Sequence, residues 1–233
     1  MSRLSSSGSA RSIPKNNRSL TGRVSFGGAD ESQPFESSLE RDLLQVVSFD
    51  QEVTRALSQP VKIDFEGGRH YYPDLLVEYE NFKPVLFEVK FRQELKDSWD
   101  VLKPKFKAAI AFARERGMIF RVITEQEIRG NALVENVRFL RGYMDIPVEL
   151  GVKKSLIETL RVLGPCATPK VLLETAFDSK EWRLKGLKCL WFLIANQQVK
   201  SDLFKKLTMT SSIWINERSV CQIPLSYRLR LAR

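Results

Sequence analysis

The sequence predicts an α/β protein, with a mixed core of strands and helices ahead of a small helical, winged-helix-like domain. Three observations predict it. Short alternating apolar stretches fall between residues 61 and 124, helical apolar stripes flank and separate them, and beyond residue 147 the rhythm becomes helical and shorter.

Residues 1–34 hold nine serines and four glycines with few large apolar side chains. Such a segment cannot bury enough surface to offset the entropy of ordering, so it is expected to be flexible. Order is expected from Phe35. Ser37 with Glu40 three residues later forms a capping-box pattern, and Leu39, Leu43, Val46 and Val47 follow as a helical stripe. Val61, Ile63 and Phe65 alternate as a strand, and Gly67-Gly68 mark a hairpin turn. A second strand is predicted over about His70–Tyr79 and a third over Val85–Phe91, joined by a turn at residues 81–84. A helix follows from about Asp97 to Arg116, stopped by Gly117, and then a fourth strand, Phe120–Thr124, set beside the third by the helical crossover. Glu125–Ile128 and Ala132–Tyr143 read as helices, and Pro147–Gly151 as a boundary. Beyond it, helices are predicted over Lys153–Leu163, from Thr168-Pro169 to Phe177, and over Lys180–Asn196, then β-like runs at Val199–Leu203 and Ile213–Asn216. Three short helices and a hairpin outline a winged helix, an outline shared by generic helical domains. Trp182, Trp191 and Phe192 are assigned to its core. The expected division is 1–34, 35–145 and 146–233.

Composition narrows the function classes. The chain has 233 residues, with 37 Lys+Arg against 28 Asp+Glu for a net charge of +9. No apolar stretch approaches the roughly 18 residues of a membrane span, and the N-terminus lacks a signal peptide's apolar core, so no membrane contact is expected. Cys166, Cys189 and Cys221 are odd in number and far apart, which supports neither a disulfide framework nor a zinc ribbon and fits a reducing cytoplasm. The single histidine, His70, excludes multi-histidine metal sites. It reads as a strand or hairpin side chain rather than a base. Carboxylates and lysines must therefore carry any chemistry. Charge is uneven: residues 35–145 carry 17 basic and 19 acidic residues, and residues 146–233 carry 15 and 7. The basic end is suited to nucleic acid or to an acidic partner.

In Phe87-Glu88-Val89-Lys90-Phe91, Glu88 and Lys90 share one strand face about 6.6–6.8 Å apart, with Phe87, Val89 and Phe91 on the opposite, core face. Pro73-Asp74 lies on the neighbouring strand, so Asp74 comes alongside if the two strands pair. Asp74 and Glu88 can then hold a divalent metal through oxygen, with Lys90 orienting or activating a water. The alternative is an exposed surface ion pair. On the first helix, Glu40 falls within the apolar arc while Arg41 and Asp42 point outward. An inward carboxylate must be paired, capping or bound to metal. Glu40 is thus either half of the capping box or a third metal ligand. Gln59, ahead of the first strand, either positions the site or makes an ordinary backbone hydrogen bond. Lys103, Lys105 and Lys107 either meet phosphate or form a solvated helix face.

The order of these motifs resembles the PD-(D/E)xK nucleases, and more narrowly the TnsA family of transposon endonucleases. The resemblance runs through Arg18–Arg23, Glu36-Ser37-Ser38-Leu39-Glu40-Arg41-Asp42, Gln59-Pro60-Val61, Tyr72-Pro73-Asp74-Leu75, Phe87-Glu88-Val89-Lys90 and Ile123-Thr124-Glu125. It implies a restriction-endonuclease-like core, with Glu40, Asp74 and Glu88 as metal-binding acids and Lys90 as the catalytic lysine. It also implies a Mg²⁺-dependent endodeoxyribonuclease, with Mn²⁺ able to substitute, that cuts the non-transferred strands at the 5′ ends of a transposon. The implied partners are double-stranded transposon-end DNA, a TnsB-like transposase that cuts and joins the 3′ ends, and an ATP-dependent TnsC-like regulator met by the C-terminal domain. The implied place is the prokaryotic, nucleoid-associated cytoplasm. The alternatives are another PD-(D/E)xK DNA nuclease, restriction or junction-resolving, and a non-catalytic DNA-bridging adaptor on the same fold.

Overall fold

The computed structural model describes residues 22–25, 32–216 and 223–229. The chain forms two compact units, the first running to Gly130 and including the segment from Gln222 onward, the second spanning Asn131–Cys221.

The first unit opens with an antiparallel pair, β1 (Gly22–Ser25) and β2 (Ser32–Phe35). All but Phe35 of these strands falls within the segment expected to be flexible, and Phe35 is the residue from which order is expected. The pair holds because Val24 and Phe35 are buried and Ser58 reaches β2 twice, its N–H donating to Gln33 Oε1 and its hydroxyl to the Pro34 carbonyl. Residues 1–21, including the Arg18–Thr21 part of the motif, lie outside the described residues.

Helix α1 (Ser38–Phe49) follows, and Ser37 Oγ accepts the Glu40 N–H at 3.1 Å as the N-cap. Seven of its twelve residues are buried and none is fully exposed, and one of the seven corrects an expectation. Asp42, assigned to the outer face, is only 1% exposed. Its partners are Arg41 at 3.1 Å and Arg129, whose Nε lies 2.7 Å from Asp42 Oδ2. A helical wheel could not foresee Arg129, which arrives 87 residues later. Arg129→Ala should remove the shorter of these contacts and cost about 2 kcal/mol, read as a lower urea midpoint.

Four strands make the central sheet: β3 (Val53–Ser58), β6 (Leu75–Tyr79), β7 (Val85–Val89) and β8 (Ile119–Ile123), in the order β3-β6-β7-β8. The first three are antiparallel neighbours, and β8 runs parallel to β7 after the crossover through α2 (Arg92–Asp97) and α3 (Trp99–Glu115). The sheet is followed by α4 (Glu125–Arg129), capped by Thr124 in a full capping box with Glu127. A separate hairpin, β4 (Ile63–Phe65) with β5 (Arg69–Tyr71), turns through Gly67 and Gly68 at φ +75° and +70°, where a side chain would be strained. The single strand expected over 70–79 is thus two. Pro73 supplies no N–H to a ladder, and the chain leaves one sheet for another at Tyr72-Pro73-Asp74.

The segment 223–229 completes this unit. Its short helix, Leu225–Arg228, buries Ser226 completely. The Ser226 N–H donates to Asp50 Oδ2 at 3.3 Å, its hydroxyl meets Tyr79 Oη at 2.9 Å, and Arg121 Nη1 donates to the Tyr227 carbonyl at 2.9 Å. Burial pushes the Asp50 carboxyl up to about 6.

The second unit contains α5 (Leu133–Arg141), α6 (Leu150–Leu163), α7 (Pro169–Ala176), α8 (Lys180–Ala195) and an antiparallel pair of β9 (Val199–Ser201) and β10 (Ile213–Ile215). Thr168 and Ser179 hydroxyls cap α7 and α8. The expected boundary at 145/146 falls inside this unit, because α5 packs with α8: Phe139 and Trp191 rings lie 5.4 Å apart. The buried Asn136 amide also donates to the Leu203 and Lys205 carbonyls, both at 2.8 Å. Trp191 is core as expected, but Trp182 is 44% exposed on the first turn of α8. Among the described residues no helix is long and apolar enough to cross a membrane.

Candidate active site

The site forms where β6 begins and β7 ends. Leu75 lies opposite Phe87 and Leu76 opposite Leu86, a register that brings the preceding Asp74 to the Glu88 end of β7. Two bonds fix Asp74: its Oδ2 accepts the Val89 N–H at 2.6 Å, and its carbonyl accepts the Gln59 N–H at 2.9 Å. Gln59 itself is buried in a left-handed conformation, φ +46°. It therefore makes the backbone bond foreseen for it, and makes it to Asp74.

Lys90 stands just past β7, its N–H donating to the Ile123 carbonyl at 3.1 Å so that the β7–β8 pairing extends to it. Its Nζ lies 3.2 Å from Glu88 Oε1 and 3.7 Å from Asp74 Oδ2, and it donates to the Val89 carbonyl at 3.2 Å. One ammonium thus bridges two carboxylates. The pair is not on an open surface: Glu88 is 4% exposed, and Leu86 on the same strand face belongs to a buried cluster with Leu57, Ile63, Tyr71, Leu76 and Ala109. Phe91, expected in the core, is instead 41% exposed, because the strand ends at Val89 and Phe91 is the N-cap residue ahead of α2.

Glu40 approaches from the first turn of α1. Its Oε2 accepts the N–H of Glu36 at 2.9 Å, one residue beyond the capping-box partner. Burial and the Asp74 charge push its carboxyl up to about 7, against the opposing pull of the Glu36 N–H, Ser37 and Lys90. Glu88 is pushed up to about 8 by burial and by Asp74, with Lys90 and the α3 residue Lys105 opposing. Asp74 is raised by burial, opposed chiefly by Lys90 and the Val89 N–H. Burial disfavours charge on Lys90, but Asp74 and Glu88 outweigh it and hold the ammonium protonated above the usual lysine value.

Burial raises all three acids, and the single ammonium does not fully offset it. A divalent cation would favour the ionised acids over the protonated ones, and oxygen donors of this kind suit Mg²⁺ or Mn²⁺. Glu88 Oε2, buried without a hydrogen-bond partner, is a donor atom of the right type. Among the described residues, no group of three or more His, Cys, Asp or Glu side chains is already drawn together as a metal cage. Asp74, Glu88 and Lys90 are brought together; Glu40 reaches them through its charge.

The remaining candidates separate clearly. His70 is exposed and stacks edge-on with Tyr72. Lys103 and Lys107 are exposed on α3, whereas Lys105 is half-buried near enough to act on Glu88. Two residues escaped the sequence reading. Asp42 was hidden by its helical angle, and Tyr71, whose buried hydroxyl has no hydrogen-bond partner, reads in sequence as one more strand aromatic.

Residues 45–125 match the TnsA-like endonuclease N-terminal domain, a span that contains Gln59, Asp74, Glu88 and Lys90. The match supports a nuclease of TnsA-like kind, related to transposition. No curated protein matches the chain.

Proposed function

We propose that the chain is the metal-dependent endonuclease subunit of a heteromeric cut-and-paste transposase, hydrolysing the non-transferred strands at the 5′ ends of transposon DNA. The observation that carries this reading is the buried Asp74–Lys90–Glu88 group, its acids pushed toward protonation, inside the span that matches a TnsA-like endonuclease domain. Asp74 and Glu88, with Glu40 as a third oxygen donor, would hold Mg²⁺, or Mn²⁺ in its place. When bound there, the metal supplies Lewis-acid polarisation of the scissile phosphate and neutralisation of its charge.

The chain's own residues do the rest. Lys90, held protonated between two carboxylates, cannot serve as a base. It orients the attacking water and offsets the negative charge that develops on the phosphate oxygens. Asp74 is held rigid by the Val89 N–H, so the ammonium and the acids keep their spacing when DNA arrives. Glu40→Gln tests the third acid. The amide oxygen still accepts from the Glu36 N–H, so the fold should hold, while cleavage falls at least about a hundredfold. A near-normal rate would reduce Glu40 to a helix cap.

Residues 146–233 carry 15 basic and 7 acidic residues, and the part of them up to Cys221 supplies docking rather than chemistry, residues 222–233 belonging to the first unit. The order α6, α7, α8 and then paired β9 and β10 supports a winged-helix-like reading of this part. Its partners are transposon-end DNA, a TnsB-like transposase and a TnsC-like ATP-dependent regulator, in the nucleoid-associated cytoplasm. Strand-specific cleavage mapping on transposon-end DNA in Mg²⁺, with and without the partner transposase, is the test. Cuts confined to the 5′ ends bear the reading out. Cuts on any duplex, regardless of end sequence or partner, mark a different nuclease on the same fold, and DNA binding with no cuts marks an adaptor.

A further inference from the structure

Lys103, Lys105 and Lys107 follow one another at every second position of α3, so Lys105 points roughly 160° away from the other two. Their exposure divides the same way: Lys103 and Lys107 are exposed, and Lys105 is half-buried. Lys105 lies one turn before Ala109, which belongs to the buried cluster with Leu86 of β7. The direction of α3 locates it further. Strand β8 runs parallel to β7, with Ile119 opposite Val85, so the chain between them returns along the sheet and α3 runs antiparallel to β7. Going back from Ala109 to Lys105 covers about 6 Å of helix. Going on from Leu86 to Glu88 covers about 6.6–6.8 Å of strand in the same direction. Lys105 is therefore level with the Glu88 end of β7, and its side chain leans further that way, toward the N-terminus of its helix. Its charge acts on Glu88 accordingly.

The Lys105 ammonium nevertheless makes no ion pair or hydrogen bond among the described residues. Lys90 is the opposite case, taken up by Glu88 at 3.2 Å, Asp74 at 3.7 Å and the Val89 carbonyl at 3.2 Å. The acidic centre thus has one cation committed to its own carboxylates and a second, on the covering helix, with no counter-ion. A half-buried cation without a partner is suited to an anion brought by the substrate. We propose that Lys105 binds a backbone phosphate of the DNA strand at the acidic centre, on the α3 side of Glu88, and so seats that strand for the cut. The cut rests on the endonuclease reading above; the phosphate contact requires only that DNA lies across this site.

The test compares the full chain with Lys105→Met, Lys105→Arg and the outward-facing control Lys103→Met. Each is titrated with a fluorescein-labelled transposon-end duplex over a salt series, with Ca²⁺ in place of Mg²⁺ so that the duplex stays whole. Lys105→Met should weaken binding roughly tenfold. It should also make log Kd against log salt shallower by roughly 0.9, the value of one phosphate contact. Lys105→Arg should retain both, and the thermal midpoint of Lys105→Met should be unchanged, since the lost ammonium has no partner in the fold. Duplexes with a single neutral methylphosphonate, placed at each phosphate around the cut in turn, locate the contact. At one of them the unaltered chain should lose as much affinity as Lys105→Met does, and Lys105→Met should lose nothing more, because one shared contact is lost only once. Unchanged affinity and slope in Lys105→Met, losses no larger than those of Lys103→Met, or additivity within about twofold at every phosphate overturn the proposal. An unaltered chain that does not bind the duplex overturns it as well. A chain that binds but never cuts in Mg²⁺ counts against the endonuclease reading alone, and the salt slope and the phosphate scan still decide Lys105.

Discussion

Asp74→Asn should abolish DNA cleavage, by at least about a thousandfold, while making the metal-free protein more stable at pH 8. The two effects have one origin. The amide oxygen still accepts the 2.6 Å bond from the Val89 N–H, so the β6–β7 junction survives. What disappears is a negative charge that raises both Glu40 and Glu88. A carboxyl with a raised folded pKa binds its proton more tightly in the folded than in the unfolded chain. Its contribution to stability is therefore complete below about pH 4.5 and is lost as pH climbs through about 7 for Glu40 and about 8 for Glu88. The metal-free chain should accordingly weaken between pH 5 and pH 8, and Asp74→Asn should flatten that slope. A gain of ~1 kcal/mol at pH 8 would appear as a thermal midpoint roughly 2–4 °C higher. Cleavage at the unaltered rate by this variant would remove Asp74 from the site.

Lys90→Met should be as damaging to cleavage, with the opposite sign in stability. Removing the ammonium leaves Glu88 and Asp74 buried without the cation that bridges them at 3.2 and 3.7 Å. Losing one partner from a buried charge pair is destabilising by about 3–5 kcal/mol at most. The loss here is smaller, because the orphaned carboxyls take up protons instead. Mn²⁺ should bind Lys90→Met at least as tightly as the unaltered chain, since a competing positive charge is gone, and should restore most of the lost thermal stability. Metal that binds without cleavage separates the ammonium's role from that of the acids. If calorimetry finds that Mn²⁺ binding vanishes with the lysine, Lys90 is instead a structural clamp on the carboxylates.

Local rules read much of the first unit correctly. Alternation found the hairpin through Gly67-Gly68 and strand β7, and helical spacing with a Gly117 stop found α3. The β7–β8 adjacency followed from the handed crossover rule alone. Strand β3 was missed because Val53-Thr54-Arg55-Ala56-Leu57-Ser58 lacks clean alternation, and its partner β6 lies about twenty residues away. At the site, the meeting of Asp74, Glu88 and Lys90 was legible, since Pro73-Asp74 and Glu88-Val89-Lys90 lie on paired segments. Their burial was not legible. Period-two patterning put Glu88 on a face opposite the core, yet that face is covered, as Leu86 and the cluster around it show. Asp42 went astray for a related reason: it borders the half-buried stripe of Ser38, Arg41, Gln45 and Ser48, and its distant partner Arg129 is invisible to local patterning.

The segment 223–229 bears on the order in which the protein can fold. Ser226 joins Asp50 and Tyr79 across 176 and 147 residues of chain. Contacts so distant in sequence close large loops and form slowly. During synthesis the nuclease unit emerges first, yet Asp50, Tyr79 and Arg121 must wait for partners that follow the whole of 131–221. The second unit is in effect an insertion within the first, and the catalytic unit matures last although it is translated first. A translation product stopped anywhere between residues 91 and 222 would carry every proposed catalytic side chain and still lack a finished fold.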